Sequence, residues 1–326
     1  MRTLTMPFLL FAMICFFSFQ SCKKGGSDPI TPPPTPVLPD TLTAGWSKVV
    51  ITGGGNLADV VFNSSTTGFA IGDGIFKSTD GGITWAKVQP SSQTNLSFSP
   101  DGKVFFVSAT TNNITRSIDG GATVTSYPIS DVLYDIMFVD NNNGYCIGAN
   151  GIYNTTDAGV TWAKLTTTGA FFAANYSSLA FLNNTTGWIC NGNGIFRSVG
   201  SASTWQQSII NGVSGNGIDC VFPTSASIIY AADTHGSCFK STDGGANFNF
   251  IKAFGNSTAF GYCDLHFIDS QNGYACYGTH IYKTTNGGAS WTTVVSMGQS
   301  SITELHFTDA NHGWACGSSG EILLLR

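Results

Sequence analysis

One octet recurs along this chain: STDGGITW from Ser78, SIDGGATV from Ser117, TTDAGVTW from Thr155, SVGSASTW from Ser198, STDGGANF from Ser241 and TTNGGASW from Thr284. Self-similarity at about forty residues means a repeat architecture, because one short unit cannot bury a core alone and must stack on its neighbours. A feature needed once per repeat serves first to hold the repeat together. The octet therefore constrains the fold before it says anything about chemistry.

Aligned on the octet, a longer unit emerges. Each unit opens with an apolar run ending in Phe, at Phe62, Phe98, Phe138, Phe181, Phe222, Phe267 and Phe307, spaced 36 to 45 residues apart. A turn rich in Asn, Asp, Ser and Thr leads to a second run (GFAIG, GYCIG, GWICN, GYACY, GWACG), then a third (GIFKS, GIYNT, GIFRS, SCFKS, HIYKT). The octet turns the chain into a fourth, such as TWAKV or SWTTV. Short β-branched and aromatic runs between Gly, Asn and Asp turns predict antiparallel strands. Four strands per forty residues predict a propeller blade. The seventh unit stops at its third strand, GEILLLR, while Gly45-Trp46-Ser47-Lys48-Val49 matches Thr84-Trp85-Ala86-Lys87-Val88. The expected fold is an all-β, seven-bladed β-propeller of four-stranded antiparallel blades, the last blade closed by an N-terminal strand over Trp46–Val50. Closure of this kind removes two open sheet edges at once.

The octet resembles the Asp-box, or bacterial neuraminidase repeat. The full unit, F-x-D…G-W-A-x-G…G-I-x-x-T-x-D-G-G-x-T-W, resembles the photosystem II stability/assembly factor-like propellers, over Trp46 to Arg326. The resemblance implies the propeller fold but not the family's named role, since such repeats occur in many unrelated secreted proteins. Within the box, Asp80, Asp119, Asp157, Asp243 and Asn286 read as structural: the side-chain oxygen accepts backbone N–H bonds and the Ser or Thr hydroxyl adds another. Gly200 stands in the acid's place in the fourth copy.

The N-terminus reads as a processing segment. Pro7 to Phe19 is an apolar run too short for a membrane span and right for a secretory core. Phe19-Gln20-Ser21-Cys22 resembles a bacterial lipoprotein cleavage site, which implies a signal peptide over residues 1–21 and lipidation at Cys22. The other reading is an ordinary signal peptide. Residues 22–40 form a Gly/Ser- then Pro-rich tether, and residues 41–326 the propeller. The expected localisation is export to the cell envelope, at the outer membrane or cell surface, with the membrane as one partner through the lipid anchor.

Only 10% of residues are charged and the net charge is −5, so no basic patch marks a nucleic-acid partner. Seven cysteines follow Cys22, an odd number that argues against a complete disulfide framework. Cys190, Cys276 and Cys316 occupy one apolar repeat position, that of Ile71, and read as small buried hydrophobes. Cys220 with Cys238 is the one pair considered for a bridge. No Cys/His spacing suggests zinc, and neither metal nor cofactor is expected.

Sialidases share the box and bind a sugar carboxylate through three converging arginines. Here Arg116 and Arg197 take the repeat position of Lys77 and Lys240, and Arg326 is terminal, so a converging triad is not expected and neither is sialidase activity. A more informative series lies three residues before each strand-one Phe: Asp59, Asn95, Asp135, Ser178, Asp219, Asp264 and Glu304. One reading is that each ties the connection between blades through backbone N–H groups. The other is an acidic binding rim at the channel mouth, joined by His235 and His280 in neighbouring loops, that takes a cation or a basic or hydroxylated partner. His266 and His306, beside Phe267 and Phe307, read as inter-blade residues. The loops on this face carry Phe171, Phe172, Tyr176, Phe254, Phe260 and Tyr262, aromatics suited to sugar or protein recognition.

These observations lead to a non-enzymatic, lipid-anchored and monomeric propeller that binds a protein through the loops joining strands four to one and two to three. The alternative is a glycan-binding protein, or a glycoside hydrolase using two rim carboxylates such as Asp264 and Glu304.

Overall fold

Seven sheets of antiparallel strands follow one another around a ring, and the Phe that ends each first strand explains why they pack as they do. The computed structural model describes residues 39–90, 93–107, 112–169, 176–192, 194–212, 217–255 and 261–326. The expected signal peptide, Cys22, nearly all of the tether, and Phe171, Phe172 and Phe260 lie outside the described residues, as does the side chain of Tyr176. Blade one runs through Asp59–Phe62, Gly68–Ile71, Ile75–Ser78 and Ala86–Gln89, and the others repeat this meander.

The strand-one Phe sits opposite the Gly that opens strand two, as in the pair Phe62 and Gly68. A Cβ built on Gly68, Gly187, Gly273 or Gly313 would overlap the ring of its facing Phe, so the ring lies across the bare glycine backbone. From the preceding blade an aromatic near the start of strand two stacks on the ring. Trp314 stacks on Phe62 at 3.7 Å, Tyr145 on Phe181 at 3.9 Å, Tyr230 on Phe267 at 3.7 Å and Tyr274 on Phe307 at 4.3 Å. The box Trp of the same blade meets the ring edge-on, at 5.8 Å for Phe62 and Trp85 and 6.0 Å for Phe181 and Trp205. Offset and edge-to-face contacts add about 0.5–1.5 kcal/mol each beyond the area buried. Phe, strand-two aromatic and box Trp are thus three parts of one seam between blades.

Ring closure follows the sequence reading. Trp46–Val50 pairs antiparallel with Glu321–Leu325 as the outer strand of blade seven, Trp46 opposite Leu325 and Val50 opposite Glu321. Trp46 then takes the box Trp's place, edge-on to Phe307 at 6.3 Å and an interplanar angle of 83°. Three blades carry a fifth strand that was not expected. Thr41–Leu42 pairs with the outer strand of blade six, Thr168–Gly169 runs parallel to that of blade four, and Ile209–Asn211 runs parallel to that of blade five. Each is a piece of connecting chain that satisfies an otherwise unpaired sheet edge.

All seven cysteines after Cys22 are buried free thiols, Cys220 and Cys238 included. No helix among the described residues is long and apolar enough to cross a membrane.

Candidate functional site

Side chains alternate along a strand, so residues two apart share a face. Along the seven first strands this puts two tiers of side chains on a central cavity of about 890 Å³. The upper tier is Asp59, Asn95, Asp135, Ser178, Asp219, Asp264 and Glu304. Two residues on, the lower tier is Val61, Ser97, Met137, Ala180, Val221, His266 and His306. The structure therefore brings the five predicted carboxyls together. His235 and His280 are not among the residues that line the cavity. His235 is buried in its turn, where its N–H donates to Asp233 at 2.9 Å, and the His280 ring lies against Thr279 and Ser296.

Four of the five carboxyls accept a backbone N–H from the next blade. The N–H of Leu96 donates to Asp59 at 2.8 Å, that of Leu179 to Asp135 at 2.8 Å, that of Cys263 to Asp219 at 3.1 Å and that of Leu305 to Asp264 at 2.9 Å. The ties run to the first strand of the following blade, not to the connecting loop. At the remaining seams a different polar group stands in this place. Asn95 lies near the Asp135 carboxyl and favours its charged form, Ser177 donates to the Ile218 carbonyl at 2.6 Å, and Thr303, beside Glu304, donates to the Leu57 carbonyl at 3.0 Å. Every seam of the ring thus carries a polar link at this level. Ser177 and Thr303 escaped the sequence reading because they stand one place away from the acidic series.

Asp59 is 3% exposed and the other four acids are partly buried, so the series lies inside the channel. Burial away from water pushes Asp59 and Asp135 up to about 7 and Asp264 up to about 6, against the pull of their N–H partners. Burial raises Asp219 in the same way, and burial with the nearby Asp264 charge raises Glu304 well above the usual carboxylate range. Asp264 and Glu304 are neighbours in this tier, and each carboxyl acts on the other's ionisation. In the lower tier burial holds His266 down to about 3 and His306 down to about 4. The Nε2 of His306 donates to the Phe62 carbonyl at 2.8 Å across the closing seam.

The octets occupy the opposite ends of the strands. Asp80 accepts from the N–H and hydroxyl of Thr84 at 2.9 and 2.6 Å and from the Ser78 hydroxyl at 2.8 Å. Asp119, Asp157 and Asp243 repeat the pattern, and the Asn286 amide serves in the same way for Ser290. In the fourth copy, with Gly200, the Ser198 hydroxyl turns instead to the Thr185 carbonyl and the Gly187 N–H. Lys77, Lys240 and Arg326 reach across to box carbonyls of the following blade, at Gly120, Gly287 and Gly81. Arg197 bonds Gln206 within its own blade, and none of Arg116, Arg197 and Arg326 lines the cavity.

On the channel face Tyr262, just before strand one of blade six, is 62% exposed and borders the cavity. Phe254, from the same connection, packs inward against Tyr282 and Trp291. Asp131 locks the turn before blade three, accepting from Val132 N–H, Asn150 N–H and side-chain amide, and the Tyr153 hydroxyl at 2.8 to 2.9 Å.

No family model and no curated protein sequence matches the chain. Solved structures do. YCF48 bound to a D1 peptide superposes with a TM-score of 0.71 at 17% identity, over 90% of this chain and 99% of that one. YCF48 from Cyanidioschyzon merolae gives 0.70 at 18% identity, over 87% and 99%. The likeness is one of fold. The same fold likeness extends to an enzyme, a GH74 xyloglucanase from Xanthomonas campestris, with a TM-score of 0.67 at 14% identity over 85% of this chain and 52% of that one.

Proposed function

We propose that this chain is a non-enzymatic, lipid-anchored propeller of the cell envelope that binds a protein partner on its channel face, as an assembly scaffold does. The observation that carries the reading is a division of labour on that face. The acids at Asp59, Asp135, Asp219 and Asp264 are engaged in holding one blade to the next. Tyr262 meanwhile stands exposed at the cavity's edge, an amphipathic ring of the kind that anchors protein contacts. The YCF48 propeller solved with a peptide bound shows that this architecture can carry a protein ligand.

Affinity capture from envelope extract with the full chain as bait should retain a defined partner, and Tyr262→Ala should weaken that capture by about tenfold or more. Turnover of a glycoside that Asp264→Asn abolishes would sink this reading in favour of hydrolysis. Binding to one defined sugar on a glycan array would replace the protein partner with a glycan. The anchor has its own test: Cys22→Ser should move the protein from the membrane fraction to the soluble one, and unchanged fractionation refutes lipidation at that residue.

A further inference from the structure

The channel carboxyls ask for an account beyond blade-to-blade ties, since an N–H needs only one acceptor and not a charge. Five acids face one another inside a closed ring, and among the residues lining the cavity there is no Lys or Arg. The other titratable groups there are the thiols of Cys220 and Cys263, the phenol of Tyr262, and His266 and His306 one tier below. Cys190, Cys276 and Cys316 back the tier from strand two, and Asp233 adds a further negative charge beside Asp219. None of these supplies a compensating cation. Asp264 and Glu304 are neighbours in the tier, where the Asp264 charge adds to burial in raising Glu304. Full ionisation would place five negative charges around one cavity on buried or partly buried side chains, where like charges repel more strongly than in water.

We infer that the channel is a proton-linked joint: the folded ring keeps protons on its facing carboxyls near neutral pH and slackens as they are lost. The unfolded chain has no such cluster, and its carboxyls ionise in the ordinary range near pH 4. Groups raised on folding give stability that is complete below that range and is withdrawn as pH climbs through 6 to 7 and beyond. His266 and His306, held neutral, work the other way: they cost stability as pH falls below their unfolded value of about 6.5. The box aspartates also work the other way, but lower down. Asp119 and Asp243, held at about 2 by side-chain and N–H donors, withdraw their contribution only below about pH 4. Five raised carboxyls outnumber two histidines above pH 5, so the ring should be firmest on the mildly acidic side.

The test uses the full chain at constant ionic strength. Its unfolding midpoint should fall by several degrees from about pH 5 to about pH 8, and Asp59→Asn with Glu304→Gln should flatten that fall. The amide at position 59 keeps an acceptor oxygen for the Leu96 N–H. A midpoint in the unaltered chain that is flat or rises over this range overturns the inference, as does an unchanged slope in the folded double variant. If the variant does not fold, the unaltered chain decides by itself. Unfolded in weakly buffered solution near pH 7.5, it should release on the order of one to two protons. No release, or uptake, refutes the joint.

Discussion

Trp46→Ala is expected to destabilise the whole ring by about 3–5 kcal/mol, the cost of truncating a large buried aromatic. Trp46 is 8% exposed, and its ring meets both members of the stacked pair Tyr274 and Phe307, at 6.2 and 6.3 Å. It belongs to blade seven through its pairing with Leu325 but closes the seam with blade six. Trp46→Phe, which keeps an edge for the same two rings, should recover most of the loss. Val50→Ala in the same strand, 55% exposed, should stay within about 0.5 kcal/mol. Chemical denaturation of the three variants measures all of this. A Trp46→Ala cost below about 1 kcal/mol would show that the strand closes the ring through its backbone ladder alone.

The second large effect belongs to the next seam. Phe62→Ala removes a ring that is 3% exposed, stacked on Trp314 at 3.7 Å and 5°, and edge-on to Trp85 at 5.8 Å. A loss of about 3–5 kcal/mol is expected. A double-mutant cycle with Trp314→Ala should return a coupling of about 0.5–1.5 kcal/mol, above the burial of either ring taken separately. Coupling near zero would mean that the stacked geometry adds nothing to the area covered. The indole N–H of Trp314 also donates to the Gly81 carbonyl at 2.8 Å, so Trp314→Phe isolates that hydrogen bond from the stack.

Much of this seam is written in the primary structure, because its parts recur. Phe62, Gly68 and Trp85 come at matching offsets in several units, and the unpaired final unit points to Trp46 as its missing piece. What repetition does not reveal is which blade a side chain touches. Tyr145, Trp188 and Trp314 read as ordinary strand aromatics, yet Trp188 donates to the Gly244 carbonyl and Tyr145 to the Asn184 carbonyl of the neighbouring blade. The short edge strands at Thr168–Gly169 and Ile209–Asn211 have no periodicity of their own to read. Their backbone is recruited by an open edge that exists only once blades four and five have formed.

The channel shows the same limit from another side. Alternation puts Asp59 and Val61 on one face, and the spacing picks out the acids that share the tier. Whether the Asp59 carboxyl meets water or the N–H of Leu96 depends on how closely two blades approach, a distance no single strand encodes. His235 and His280 were joined to this group by loop position alone. Loop position is shared by every residue of that face, whereas the cavity selects only those on the inward side of the first strands.

The pairing of Trp46–Val50 with Glu321–Leu325 bears on how the molecule is made. On the ribosome the first of these strands is synthesised long before the second, with six blades in between. Those blades can fold in order, each on the last, through contacts local in sequence. The final step is of another kind, since it joins segments from the two ends of the described chain and carries the loop-closure cost that slows such pairings. Until then Trp46–Val50 has no strand to pair with, and nothing holds the Trp46 ring against Tyr274 and Phe307. A chain stalled short of Glu321 would therefore present an unclosed edge and an exposed indole, a form open to misassociation and recognisable by quality control.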